Sequence, residues 1–206
     1  MEVEVRGVSL KRAFDVVGSA IGLLSVSFLL LAVAVWVKLD SKGPVLFRQV
    51  RVGKDGKLFR IFKFRTMVVD AESKGMQITV GGRDPRVTRA GYHLRRLKLD
   101  ELPQLLNVFL GEMSFVGPRP EVPRYVELYS ARQRDVLSVR PGITDPASLA
   151  FCDENDLLAK EPDPEKAYIE QIMPKKLAMN LEYLGRASFV SDLGLICRTV
   201  LGTLVR

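Results

Sequence analysis

VVGSAIGLLSVSFLLLAVAVWV, residues 16–37, carries no charged side chain, and its reading decides the fold. About 20 consecutive apolar residues are enough for a helix to cross a bilayer core. The run is too long for the apolar part of a signal peptide, and no small-residue cleavage site follows it. The alternative is a fully buried helix of a soluble protein. Its flanks add to the reading. Arg6, Lys11 and Arg12 precede it, and Lys38, Lys42, Arg48 and Arg51 follow it. Lys/Arg-rich flanks stay on the cytoplasmic side, so a single crossing would misplace one of them. A helix that enters the bilayer, bends and returns to the same face satisfies both. Ser25 and Ser27, in mid-run, suit a bend by bonding back to helix carbonyls. Gly18 and Gly22 fit either a bend or close helix packing. Residues 1–40 are therefore expected to form a membrane anchor, re-entrant rather than spanning, with 41–206 as the domain it carries.

Outward from the anchor, Asp40–Pro44 reads as a turn. VLFRQVRV (45–52) and KLFRIFKFRTM (57–67) read as strands joined through the hairpin turn Gly53–Gly56. Large apolar residues fall on both faces of the second strand, so the hairpin is expected to be covered on much of its surface. Residues 68–86 read as a short helix and a loop, and Val87 to about Leu99 as a helix. A short helix follows, stopped by Gly111, and then a Gly/Pro loop. Helices are expected near 121–138, 153–160, 165–184 and 188–205. The last two are amphipathic and basic, with Lys175, Lys176, Arg186 and Arg198, which suits a membrane surface or ordinary packing equally. The fold class is α+β and mostly helical: an N-terminal membrane helix, a small β-hairpin, and amphipathic interfacial helices around a site at the cytoplasmic face.

The chain has 206 residues and a formal net charge of +7. That charge points to an anionic partner: nucleic acid, lipid headgroups or phosphorylated substrates. Cys152 and Cys197 have no partner at metal-ligand spacing and read as reduced thiols packed in the core.

Asp100 and Glu101 are adjacent, so on a helix they point about 100° apart and do not face one another as a proton-sharing dyad. They suit divided roles, one carboxylate attacking and the other holding a cation. Pro103 is tolerated only in a first turn, which places Asp100 near a helix start. A simple cap is the competing role there. Lys63, Arg65, Arg95, Arg96, Lys98, Arg119, Arg124 and Arg140 lie around the pair in sequence, several inside apolar strings such as FKFRTM and GPRP. Arginine forks bind phosphate oxygens, and a carboxylate can hold Mg²⁺ that bridges a diphosphate. His93 is the only histidine, and no Gly-x-Ser-x-Gly elbow accompanies it. Neither a Walker cradle nor a Gly-x-Gly-x-x-Gly fingerprint is present.

The string LKLDELPQLLNVFLGEMSFVGPRPE (97–121) resembles the signature of the bacterial sugar transferases, the monotopic phosphoglycosyl transferases. The likeness extends to KRAFDVVGSAIGLL, to LDSKGPVLFRQVRVGKDGKLFRIFKFRTM, to VRPGITDPASL and to LEYLGRASFVSDLGLICRTV, which is nearly the whole chain. The resemblance implies that Asp100 attacks the sugar-linked phosphate of a UDP-sugar and UMP leaves. A polyprenyl phosphate then takes the sugar phosphate from Asp100, the first step of a surface glycan. It implies Glu101 as the Mg²⁺ ligand, Lys63, Arg95 and Arg119 as phosphate or nucleotide binders, and Pro118 and Pro120 as the loop shaping the site. Implied partners are a UDP-sugar, a polyprenyl (undecaprenyl) phosphate and membrane phospholipids at the bacterial inner membrane, with 41–206 as a catalytic domain on the cytoplasmic face. A homodimer is left open.

Two departures stand out. Relatives often carry Ser-Pro in mid-anchor, where this chain has Ser27-Phe28, and DPASLAF (145–151) replaces a common Gly-Leu-Ala-Gln. The sugar is not inferred from relatives. A non-enzymatic membrane scaffold of a glycan-assembly complex is the alternative. A nucleic-acid binder rests on charge alone and lacks a reading motif.

Overall fold

The computed structural model describes residues 2–69, 71 and 84–204. Helices α1 (Glu2–Ser25) and α2 (Ser27–Asp40) meet at Val26 and diverge by 62°. Among the described residues no single helix is long and apolar enough to cross a membrane, although this bent pair passes together by length and composition. The two serines act at the break. Ser25 Oγ donates to Ile21 O at 2.8 Å, and Ser27 Oγ to Leu24 O at 2.8 Å. Side-chain hydroxyls that take up helix carbonyls favour a bend, so the helix breaks here without proline.

Strands β1 (Leu46–Val52) and β2 (Leu58–Phe64) form the expected antiparallel hairpin, with Leu46 opposite Phe64 and Val52 opposite Leu58. Its turn holds Asp55 (φ 56°) and Gly56 (φ 75°) in the left-handed region. One hairpin face carries Phe47, Gln49 and Arg51 beside Phe59, Ile61 and Lys63. Helix α3 (Arg89–Arg96) is capped by Thr88, whose side chain accepts from Gly91 N. A 3₁₀ turn over Leu99–Glu101 leads to α4 (Gln104–Leu110), with Pro103 just before its first residue. The short helix and loop expected over 68–86 fall largely outside the described residues.

The remaining elements are β3 (Ser114–Val116), α5 (Pro123–Val126), β4 (Gly142–Thr144), α6 (Pro146–Ala150), α7 (Glu154–Leu158), α8 (Pro164–Ala167), α9 (Met173–Leu184) and α10 (Phe189–Leu204). The helix expected over 165–184 is present, but a π-helical turn at Tyr168–Ile172 joins α8 to α9. The stretch 121–138 is broken into α5 and a 3₁₀ turn over Gln133–Ser138. The parallel pair β3–β4 was not expected. Gly117 and Gly142 permit it, because a Cβ on Gly142 would strike the Gly117 backbone and one on Gly117 the Arg140 carbonyl.

Three apolar clusters hold the body together. One lies under α5, α8 and α9 (Tyr125, Leu158, Tyr168, Leu177). A second joins α2, β2 and α3 (Val37, Phe64, Leu94). A third joins β2, α4 and the start of β3 (Ile61, Val108, Met113). The bent helix pair α1–α2 is fastened to this body. A Cβ on Gly18 would sit 2.9 Å from the Phe115 ring, and one on Gly22 3.3 Å from Leu105, so this pair serves packing. Buried Asp15 accepts from Ser114 Oγ and Phe115 N, each at 3.1 Å. Arg12 closes the end of α4 by donating to Val108 O and Phe109 O. Beyond that footing Leu24, Phe28 and Leu39 are 76%, 87% and 82% exposed, so apolar surface is turned outward.

The cysteines correct an expectation. Both Cys152 and Cys197 are exposed, not packed in the core. Cys197 lies on an outer face of α10, and Cys152 lies just beyond α6, where the chain turns toward the site.

Candidate active site

The 3₁₀ turn that carries Asp100 begins after Lys98, which takes left-handed backbone angles (φ 56°, ψ 18°). A non-glycine residue there costs of order 1 kcal/mol, so surrounding packing must hold the turn. The turn places Asp100 inside, 7% exposed. No side chain of the turn caps it, and α4 has no side-chain cap at Pro103. Asp100 is therefore not the helix cap that its position near Pro103 allowed. Among the described residues no hydrogen bond reaches its carboxylate. Burial raises its pKa first, and neighbouring Glu101 adds to the rise, while Lys63 and Arg95 oppose it.

Glu101 has the opposite surroundings. Lys63 Nζ donates to its Oε1 at 2.8 Å, Arg119 Nη2 donates to the same oxygen, and Arg119 Nη1 reaches Oε2 at 3.3 Å. Burial alone would raise this carboxyl, but Arg119 and Lys63 overcome it and hold Glu101 well below the usual carboxylate range. Burial lowers the Lys63 ammonium, with Glu101 countering. Glu101 is also the main reason that Arg119 is held above its ordinary value. Two adjacent carboxylates are thus driven apart, one fixed as an anion and the other left unbonded.

Arg95 Nε donates to Thr66 Oγ1 at 2.9 Å, and its guanidinium joins Lys63, Lys98, Asp100, Glu101 and Arg119 around one polar cavity of about 290 Å³. The sequence-expected site residues converge there. Pro118 and Pro120 are buried on either side of Arg119 and fix the loop that presents it. Other cations of the sequence cluster go elsewhere. Arg65 is buried and donates to Val37 O, Ser41 O and Pro44 O, closing the end of α2. Arg124 pairs with Glu165 at 2.9 Å, and Arg140 donates to Gly111 O at 2.8 Å. His93 is exposed and packs edgewise near Tyr92 and Trp36, outside the cavity.

Arg51, Glu121, Tyr168, Lys176 and Glu154 also line the cavity, and sequence reasoning missed them. For Arg51 a signal was present: the hairpin register puts it on the face of Lys63. Lys176 lies on a helix whose pattern suits a membrane surface and ordinary packing equally; its side chain is 13% exposed and turned inward. A second, mostly apolar groove of about 400 Å³ meets the polar cavity at Lys98, Glu101, Arg119, Ser148 and Cys152, and runs between α4, α6 and α10.

The donor set also bears on a metal. Among the described residues no three His, Cys, Asp or Glu side chains converge, so the protein offers no dedicated cage. A hard carboxylate such as Glu101, lining a polar cavity with Lys63, Arg95 and Arg119, does fit Mg²⁺, which takes one or two carboxylates and completes its shell with phosphate oxygens and water.

A family model described as bacterial sugar transferase matches residues 6–206. An exopolysaccharide production protein, PSS, of Rhizobium leguminosarum bv. phaseoli is 42% identical over 206 residues, covering 96% of each chain. The undecaprenyl-phosphate glucose phosphotransferase of Komagataeibacter xylinus is 39% identical over 200 residues, 92% of this chain and 35% of the relative. The UDP-glucose:undecaprenyl-phosphate glucose-1-phosphate transferase of Escherichia coli K12 is 40% identical over 195 residues, 93% of this chain and 39% of the relative. The chain thus spans little more than a third of these last two proteins.

Proposed function

The chain belongs to the bacterial sugar transferase family, and from that premise we propose that it moves a sugar 1-phosphate from a UDP-sugar to a polyprenyl phosphate in two steps at Asp100. The observation that carries the reading is the unbonded, buried Asp100 carboxylate beside a Glu101 locked by Lys63 and Arg119. An Asp100 oxygen attacks the β-phosphorus, the bond to the bridging oxygen breaks, and UMP leaves. A phosphate oxygen of the lipid then attacks the same phosphorus and frees the Asp100 carboxylate. A carboxylate that accepts no hydrogen bond from a described residue suits attack, because no donor among them competes for its lone pairs. Lys63, Arg95 and Arg119 bind the diphosphate and spread its charge.

Glu101 would hold Mg²⁺, which neutralises charge on the diphosphate when bound, leaving Asp100 free to attack. Arg119 and Lys63 keep the Glu101 carboxylate ionised and oriented for that ligand. The apolar groove beside the cavity suits a lipid acceptor. The 62° bend and the outward apolar face of α1–α2 support a re-entrant anchor (1–40) at the cytoplasmic face of the inner membrane, with 41–206 catalytic. The two relatives named for glucose are spanned by this chain over little more than a third of their length, so no sugar is assigned.

Purified D100N is expected to lose at least ~10³-fold in transfer of sugar phosphate from a UDP-sugar to polyprenyl phosphate, since it lacks the nucleophile. Transfer at the wild-type rate would remove Asp100 from this role. Membrane binding by wild type without UMP release from any UDP-sugar would favour a scaffold.

A further inference from the structure

The polar cavity continues beyond Glu101, and its contacts run in order. Arg119, on Glu101, is followed by Pro120, whose carbonyl accepts from Arg51 Nη1 at 3.0 Å. Next in the chain, Glu121 takes the hydroxyl of Tyr168. Lys176 Nζ lies 5.6 Å from the centre of the Tyr168 ring and donates to Glu154 Oε2 at 2.7 Å. All of these residues except Pro120 line the cavity that holds Asp100. Glu101, the neighbour of Asp100 in the chain, is at one end of these contacts and the Lys176–Glu154 pair at the other. The π-helical turn sets Tyr168 into the wall, and such turns recur at functional sites.

In-line displacement puts the leaving group across the phosphorus from the attacking oxygen. With Asp100 attacking, UMP projects away from it, past Glu101 and Arg119. The neighbouring groove is apolar and does not suit a ribose and base, whereas the far polar wall does. Uracil presents an N3–H between two carbonyl oxygens. An ammonium has three donors, one of them engaged here by Glu154. Glu154 Oε1 accepts no hydrogen bond from a described residue. The pair therefore offers a donor beside an acceptor, the complement of a uracil edge. Cytosine reverses part of that pattern, with an acceptor at N3 and an amino donor at N4.

We propose that Lys176 and Glu154 form the uracil subsite of the donor, Lys176 donating to a base carbonyl and Glu154 accepting N3–H. Tyr168 is a positioning residue beneath Lys176. The inference rests on the UDP-sugar reading above. The pair is 13% and 22% exposed, so a base bound there would meet it with little competing water.

The test is calorimetric binding of UMP and CMP to the detergent-solubilised full chain, for wild type, Lys176→Met and Glu154→Gln. KM for the UDP-sugar and for polyprenyl phosphate is measured alongside. Lys176→Met is expected to weaken UMP binding about 10- to 100-fold, the worth of a hydrogen bond to a charged group. It should raise the UDP-sugar KM by a similar factor and leave the lipid KM within about twofold. Glu154→Gln is expected to narrow the UMP-over-CMP preference about tenfold, because its amide can donate to cytosine N3. A pair that only tethers α7 to α9 would lower the melting temperature and leave that preference unchanged, which overturns the proposal. So does a changed preference among sugars with normal UMP binding. Should Lys176→Met not fold, Lys176→Arg and Glu154→Gln decide the matter by the same ratio. Normal UMP binding by folded variants of a turning-over enzyme overturns the subsite alone. A wild-type protein that neither binds UMP nor releases it from any UDP-sugar overturns the transferase reading as well.

Discussion

Asp100 and Glu101 are neighbours in the chain and opposites in their surroundings. Asp100 is buried with no donor from a described residue, and Glu101 is gripped by two cations. A buried charge without hydrogen bonds costs folding energy. D100N is therefore expected to melt at or above the wild-type temperature at neutral pH while losing transfer, and calorimetry on the two proteins checks this. A D100N protein that melts well below wild type would mean that the carboxylate has a structural partner instead. In the sequence the pair alone allowed a simple helix cap; the resemblance of 97–121 to the sugar-transferase signature singled it out, and the same resemblance singled out Lys63, Arg95 and Arg119 among the surrounding cations. Arg65 and Arg140 looked the same, yet Arg65 takes up the carbonyls that end α2 and Arg140 donates to Gly111 O. In sequence, an arginine that caps a carbonyl is indistinguishable from one that holds a phosphate. Lys176, Glu154 and Tyr168 were hidden for a different reason: they reach the cavity through tertiary packing of α7 to α9, which no local pattern encodes.

Among the elements, the bent anchor was readable from charge and the mid-run serines, and its break at Val26 explains why Ser27-Phe28 serves without proline. Phe28 is the second residue of α2, where a proline removes only an orphan donor. Phe28→Pro is expected to stay within about 1 kcal/mol of wild type, or ~2–4 °C in melting temperature. Leu31→Pro, inside α2, should cost about 3 kcal/mol. Equal losses would show that the helix is continuous at Val26. The β3–β4 pair was not readable, because two three-residue strands meet across a long stretch of chain and only the Gly117–Gly142 approach marks them. Near the other end of the chain, α9 and α10 are joined by Tyr183, whose hydroxyl donates to Asp192. Burial first, then that bond, pushes its pKa from 10.0 up to about 12. A phenol kept neutral in the fold stabilises it fully below the unfolded pKa and loses that contribution as pH rises through the folded one. Stability should therefore fall between about pH 10 and 12. Tyr125, Tyr129 and Tyr168 shift the same way, so Tyr183→Phe should flatten the fall only in part. Melting curves against pH for the two proteins check it, and an unchanged slope would remove Tyr183 from the account.

At the scale of the whole molecule, the anchor and the site are one construction. Lys11, at the foot of α1, donates to Val116 O and to Asp192, and Arg12 closes α4, the helix next to the carboxylate turn. A re-entrant segment so fastened would hold the cavity at headgroup level, where a water-borne UDP-sugar and a lipid phosphate can both arrive. Tags at residue 1 and after residue 40 are expected to stay cytoplasmic, and periplasmic labelling of the first would show a true crossing. The central claim is the covalent role of Asp100, and intact-protein mass spectrometry tests it most directly. The chain is mixed with a panel of UDP-sugars in the absence of lipid. One member of the panel should add the mass of one sugar phosphate per chain and release one UMP. That adduct should be absent in D100N and should discharge when polyprenyl phosphate is added. UMP release that requires the lipid and leaves no adduct, or an adduct that persists in D100N, would contradict the account.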